Sequence, residues 1–285
     1  MRRHFLKSGL AAAMAYAAGL PSGNVFAATH PIRIGLTPVF LVQRAGLLNR
    51  WNEYLSQRIR RPVNFVLRQS YQEITTLLLS GQLDAAWICE YPYACMEKEL
   101  RLLTTPFYQG KPLYRVYLIV PQDDKHTRSI LDLKGRLFAF SDPNSLAGYQ
   151  LPRYWLHMLG DDPDHFFERT IITWAHRNSV QAVADRLVDG ATVDGYVWDM
   201  LSRFSPEITQ KTRIVLRSEL YGFPPMVTPI GLPERVATQI RGALNGMNTD
   251  PNGQEILSTL GLERFETVSP AVYDDVRKIA TVMGC

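Results

Sequence analysis

The sequence is short of cysteine, of clustered positive charge and of long apolar runs. Three cysteines in 285 residues cannot all pair with one another, and neither their number nor their spacing fits a Cys-x-x-Cys zinc or redox motif. Cys89 and Cys95 flank Glu90-Tyr-Pro-Tyr-Ala94, near enough for a local disulfide if the turn between them is tight, which would leave Cys285 over. No structural metal and no cofactor is expected. No run of lysine or arginine offers the electrostatic footprint that nucleic acid or an anionic membrane requires. No nucleotide-binding loop and no cluster of metal ligands is present, which removes most enzyme classes. Repeats, low-complexity tracts and an obvious linker are missing as well, so the chain reads as one large domain or two lobes of ordinary size.

What the first residues do carry is an address. Met1-Arg-Arg-His-Phe-Leu-Lys7 joins an arginine pair to Phe-Leu-Lys, an alanine-rich stretch follows, and Val25-Phe26-Ala27 supplies small residues where a signal peptidase would cut. The weakly apolar stretch, about a dozen residues, is far shorter than the roughly 20 of a membrane helix. Gly9, Gly19, Pro21 and Gly23 deny it a continuous helical face. Residues 1–27 therefore read as a twin-arginine export signal, with the mature chain beginning near Ala28 in a bacterial periplasm. The signal holds Arg2, Arg3 and Lys7 and no acid, so the formal charge falls from +4 to +1 on its removal. The basicity belongs to the address, not to the folded chain.

Along the mature chain, strands and helices alternate. Pro31–Leu36 reads as a first strand, Val42–Arg58 as an amphipathic helix, Val63–Leu67 as a strand, Tyr71–Ser80 as a helix stopped by Gly81, and Asp84–Ile88 as a short buried strand. After Pro112 a second series begins with Tyr114–Val120. It continues with strand 136–140, helix Ser145–Leu159, strand Thr170–Trp174, helix Ser179–Val188, strand Thr192–Val197 and strand Arg213–Leu216. Tyr221–Pro225 crosses back, and helices over Pro233–Asn248, Asn252–Leu260 and Ser269–Val282 close the first unit. The expectation is an α/β chain with parallel sheets in two lobes, residues 28–117 with 222–285 and residues 118–221. A cleft between them closes on a small ligand held at the turns after strands.

One such turn stands out. In Ser141-Asp-Pro-Asn-Ser-Leu-Ala-Gly-Tyr-Gln-Leu-Pro-Arg-Tyr-Trp155 a strand ends in turn residues, and Ser145 is a natural cap for the helix that follows. A helix start presents unpaired N–H groups and the positive end of a dipole, so an oxyanion docks there readily. The plainer alternative is that Ser145 only caps its own helix. His176 sits at another turn after a strand, where it can donate to an oxyanion, best when protonated, or serve structure alone. Asp199 follows the run from Val193, and Asp194 reads as a strand-entry residue facing solvent or the hinge.

Taken together, Ile34-Gly-Leu-Thr-Pro38, Ser80-Gly-Gln-Leu-Asp-Ala-Ala-Trp87, Tyr114-Arg-Val-Tyr-Leu-Ile-Val120, Asp142-Pro-Asn-Ser-Leu-Ala-Gly-Tyr-Gln-Leu-Pro152 and Val193-Asp-Gly-Tyr-Val-Trp-Asp199 resemble the phosphate/phosphite/phosphonate-binding proteins of bacterial ABC importers. The resemblance covers essentially the whole mature chain. It implies a two-lobed type II periplasmic binding protein with a ligand cleft between the lobes, not an enzyme. Such a protein would be a monomer that takes a small oxyanion to an ABC permease, or presents it to a membrane sensor kinase. It also implies a ligand set of Tyr71, Cys89, Glu90, Tyr91, Tyr93, Ser145, Leu146, Ala147, His176 and Asp199, with Tyr91 or Tyr93 nearest the ligand. In the family the second-lobe turn reads close to Ser-Thr-Ser-Gly. Here Leu146 and Ala147 replace two hydroxyls, each worth roughly 1.5–3 kcal/mol toward an ionised oxygen. Glu90 beside an anion must be protonated, turned away, or matched to a ligand that carries a proton. Asp199 corresponds to an acid that in relatives accepts from a ligand amine or protonated oxygen. Cys89 stands where the family has a small residue, and a thiol there fits a soft ligand such as arsenite in a sensor component, unless it is inert or paired with Cys95. Reading Ser145, His176 and Asp199 as an acyl-transfer set fails on the lack of a Gly-x-Ser-x-Gly elbow.

Overall fold

Two mixed sheets, each flanked by helices, carry the chain in the computed structural model, which describes residues 30–38 and 46–285. The export signal read at residues 1–27 lies outside the described residues. The first sheet has the order β11-β4-β10-β3-β1-β2, from β1 (Ile32–Leu36), β2 (Val63–Leu67), β3 (Ala85–Trp87), β4 (Leu100–Phe107), β10 (Met226–Pro229) and β11 (Arg264–Glu266). The second has the order β7-β6-β8-β5-β9, from β5 (Leu113–Pro121), β6 (Leu137–Phe140), β7 (Arg169–Ile172), β8 (Gly190–Asp194) and β9 (Thr212–Gly222). The chain passes between the sheets twice, in residues 108–112 and 223–225.

The first lobe carries α1 (Leu47–Ile59), α2 (Tyr71–Leu79), α3 (Glu90–Cys95), α8 (Glu234–Asn245), α9 (Pro251–Leu260) and α10 (Asp274–Met283). The second carries α4 (Leu151–Met158), α5 (His176–Ala184), α6 (Gly195–Phe204) and α7 (Pro206–Thr209). Local chemistry explains several starts. Ser70 and Glu73 form a reciprocal capping box at α2, and Asp250 accepts from Gly253 N to begin α9. In the first lobe's core, Trp87 meets Trp51 and Phe265 with ring centroids 5.9 and 5.4 Å apart, a large aromatic burial that seats α1 and β11 on the sheet.

Several expectations need correction. The sheets are not wholly parallel: β1 runs parallel to β2 and β3, and β6 to β7 and β8, but β10 and β11 pair antiparallel, as does β5 with both neighbours. β5 and β10 enter their sheets directly from the other lobe, need no helical crossover and so reverse direction. The strand expected over residues 192–197 stops at Asp194, whose side chain accepts from Tyr196 N and Val197 N and turns the apolar run into α6. Asp194 is consequently buried, not facing solvent, and Asp199 sits within a helix. His176 opens α5 instead of preceding its cap. A local Cys89–Cys95 bridge does not form: Cys95 is bonded to Cys285, and Cys89 is a free buried thiol. Residues 90–95 are helical, and at 1.5 Å rise per residue a spacing of six puts the two cysteines about 9 Å apart, beyond disulfide reach.

Candidate functional site

The turn after β6 is built as the sequence suggests, with one refinement. Ser145 has extended backbone, and its Oγ accepts from Gly148 N at 3.0 Å. The residues that follow, Leu146–Gln150, form a wide π-type turn before α4 begins, and such turns favour functional sites. Ser141 N donates to Gly148 O at 3.0 Å, tying the turn back to the end of β6. Gly148 is fixed by close approach: a Cβ there would lie 1.8 Å from Ser141 Oγ and 3.0 Å from His176 Cε1.

His176 joins this turn from the start of α5. Its Nδ1 accepts from Asp194 N at 3.2 Å, so the proton sits on Nε2, 3.3 Å from Ser145 Oγ. Burial pushes the imidazole down to about 3. It is therefore a neutral Nε2–H donor at physiological pH, without the proton that would have made it a stronger one.

The first lobe meets the turn directly. Leu146 N donates to Cys89 Sγ at 3.3 Å, and Tyr71 N donates to Asp142 Oδ2 at 3.0 Å. Cys89 precedes the first residue of α3 and its thiol lies 3.3 Å from Glu90 Oε2, while Tyr114 donates its phenol to Glu90 Oε1. Glu90 is fully buried, and burial raises its carboxyl to about 7, against the lowering effect of the Tyr114 bond. Burial, then the nearby Glu90, pushes the Cys89 thiol and the Asp194 carboxyl upward. Among the described residues no lysine or arginine acts on Tyr71, Cys89, Glu90, Tyr114, His176 or Asp194. The group offers neutral donors and proton-holding acids. Nor, among the described residues, are three or more His, Cys, Asp or Glu side chains disposed to hold a metal ion.

Of the sequence-derived set, Tyr71, Cys89, Glu90, Ser145, Leu146 and His176 come together. Ala147 and Tyr91 are buried in the same apolar cluster as Cys89 and Leu146. Tyr93 stands apart, edge-on to Tyr273 with centroids 5.0 Å apart. Asp199 lies at the crossing between the lobes, accepting from Tyr108 OH at 2.7 Å and Tyr117 OH at 3.1 Å. Residues the sequence reading passed over are Asp142, Asp194, Tyr114 and Ser141, whose buried Oγ lacks a hydrogen-bond partner among the described residues. Asp194 was visible in principle, because Val-Asp-Gly-Tyr after a strand is a cap pattern; the Tyr114–Glu90 pairing, 24 residues apart, had no local signal.

Residues 34–273 match the family described as ABC transporter, phosphonate, periplasmic substrate-binding protein. A phosphonates-binding periplasmic protein of Escherichia coli is 26% identical over 247 residues, covering 82% of this chain and 72% of its own. The binding protein component of an ABC phosphonate transporter from Pseudomonas aeruginosa superposes with a TM-score of 0.81 at 22% identity, over 89% of this chain and 86% of that one. A binding protein from Prochlorococcus marinus, solved with methylphosphonate, gives 0.78 at 16% identity over 88% and 97%. With the family match spanning most of the chain and the same two-lobed fold in its relatives, this chain belongs to the phosphonate-binding periplasmic substrate-binding proteins of ABC transporters.

Proposed function

We propose that the chain, exported by its twin-arginine signal, captures a phosphonate, phosphite or phosphate-like oxyanion in the periplasm and closes its lobes on it for an ABC permease. The observation that carries this reading is the convergence of both lobes on one turn. The Leu146 amide, the Ser145 hydroxyl and the His176 Nε2–H of the second lobe meet Tyr71, Cys89 and Glu90 of the first. Ligand bound at such a meeting point favours the closed state by its differential affinity, and that state is what a membrane partner would recognise. The methylphosphonate in the Prochlorococcus protein supports a small phosphonate headgroup. The lack of a lysine or arginine at the cluster among the described residues, together with a carboxyl near neutrality at Glu90, favours an oxyanion that keeps one proton over a fully ionised one.

A calorimetric or thermal-shift screen of phosphate, phosphite, methylphosphonate, sulfate, arsenate and arsenite tests this. Ligand at 100 times its Kd is expected to stabilise the fold by about 2.7 kcal/mol, and silence toward every oxyanion overturns the reading. One observation favours a second: Cys89 is an unpaired thiol where the lobes touch, the donor a trivalent arsenic ligand would seek. A response to arsenite alone, abolished in Cys89→Ser, would make that reading the right one. The relatives found favour transport over a sensor role.

A further inference from the structure

A groove is built from residues next in the chain to the buried cluster. Immediate chain neighbours of Tyr71 and His176 line its volume of about 650 Å³, with Arg68, Gln69 and Glu73 on the first lobe facing Thr173, Trp174 and Asn178 on the second. Trp174 is 49% exposed, and its backbone lies at φ 64°, a left-handed conformation that a bulky side chain rarely adopts. The strain is held in place on several sides. Trp174 N donates to Ser141 O at 2.7 Å, Asn178 Nδ2 to Thr173 O at 2.9 Å, and Thr173 Oγ1 contacts Ser179 Oγ at 2.7 Å. Glycine or asparagine would occupy this position without strain. The ring gains little from the fold in return, since among the described residues no aromatic ring or guanidinium is paired with it. Strain kept by surrounding bonds at a cleft mouth marks a position shaped for use.

The charges across the groove narrow what fits. Glu73 is occupied in its capping box, accepting from Ser70 N and Ser70 Oγ at 3.1 Å each. Among the described residues Arg68 donates only to its neighbour's carbonyl, Leu67 O, at 2.7 Å, and it is exposed. Arg68 and Glu73 set one charge of each sign in the groove, and the exposed Arg68 guanidinium suits a planar, electron-rich group. Leu146 and Ala147 offer the turn no side-chain hydroxyl, which leaves more of the recognition to whatever the oxyanion carries.

We propose that this groove is an outer subsite in which Trp174, with Arg68 opposite, receives an aromatic substituent joined to the oxyanion, making an aromatic phosphonate or phosphate monoester a better ligand than a bare oxyanion. The inference rests on the reading that the buried cluster takes the oxyanion. Calorimetry on the purified full chain with methylphosphonate and phenylphosphonate tests it, comparing wild type with Trp174→Gly and Trp174→Phe. The wild type is expected to bind phenylphosphonate roughly tenfold or more tightly than methylphosphonate, the range that stacking on an aromatic side chain supplies. Trp174→Gly is expected to erase that preference and leave methylphosphonate affinity unchanged. Its melting temperature should be equal to or above wild type, because glycine accepts the backbone conformation. Trp174→Phe should keep most of the preference. Equal affinity for the two phosphonates in wild type, or a preference that survives in Trp174→Gly, overturns the subsite. Binding of neither phosphonate, nor of phosphate, by wild type overturns the oxyanion reading itself, and the subsite with it.

Discussion

Glu90 is fully buried between the Cys89 thiol and the Tyr114 phenol, with Asp194, Tyr71 and Tyr273 as further titratable neighbours. Burial raises its carboxyl from 4.5 to about 7, so the folded chain holds a proton that the unfolded chain has released. Stability linked to this proton is fully present below about pH 4.5 and is lost as the pH rises to about 7. The separation corresponds to about 3 kcal/mol at about 1.4 kcal/mol per pH unit. His176 works in the opposite sense: held neutral down to about pH 3 against an ordinary 6.5, it costs stability as the pH falls below about 6.5. Wild type alone mixes the two effects, and the difference between wild type and Glu90→Gln isolates the first. In urea unfolding series, Glu90→Gln is expected to gain on wild type by up to about 3 kcal/mol between pH 4.5 and 7.5. A difference that stays constant over this range would mean that Glu90 ionises freely in the folded protein.

At the scale of elements, the turn Leu146–Gln150 is held by contacts with no spare room. In Gly148→Ala the added methyl would fall 1.8 Å from Ser141 Oγ and 2.6 Å from Ser141 Cβ, so either the end of β6 or the His176 ring must move. The substitution is expected to cost about 1–3 kcal/mol and to abolish oxyanion binding by calorimetry. Gly148→Ala combined with Ser141→Gly should recover part of both, and no recovery would argue against this contact as the cause. This turn was readable in the sequence because capping by Ser145 is local chemistry, and β2 and the start of α2 were readable for the same reason. What escaped was set at a distance or masked by composition. The helix Glu90–Cys95 is too short and too interrupted by Pro92 to show a helical period. β4 lies in a segment with no alternation, and the apolar run from Val193 looks like a strand until the Asp194 cap is recognised. The Nε2–H tautomer of His176 depends on Asp194 N, 18 residues away, which no periodicity reveals.

For the whole molecule, the last helix is one of the parts that tie the lobes together outside the two crossing segments. α10 packs on α3 of the first lobe and also on α4 and the Leu146–Gln150 turn of the second. Its far end is fastened by the Cys95–Cys285 disulfide, which joins residues 190 apart. A bond that closes so long a loop mainly restricts the unfolded chain, and removing a native one typically costs about 2–5 kcal/mol. Reductant, or Cys285→Ser, is therefore expected to lower the melting temperature of the ligand-free protein. The same change should weaken oxyanion binding, because α10 supports the turn that faces the ligand. Cys89→Ser, at the free thiol, should leave the response to reductant intact. If reductant leaves the melting temperature of wild type unchanged, or if Cys89→Ser removes the response, the stabilising bond is not the one between Cys95 and Cys285.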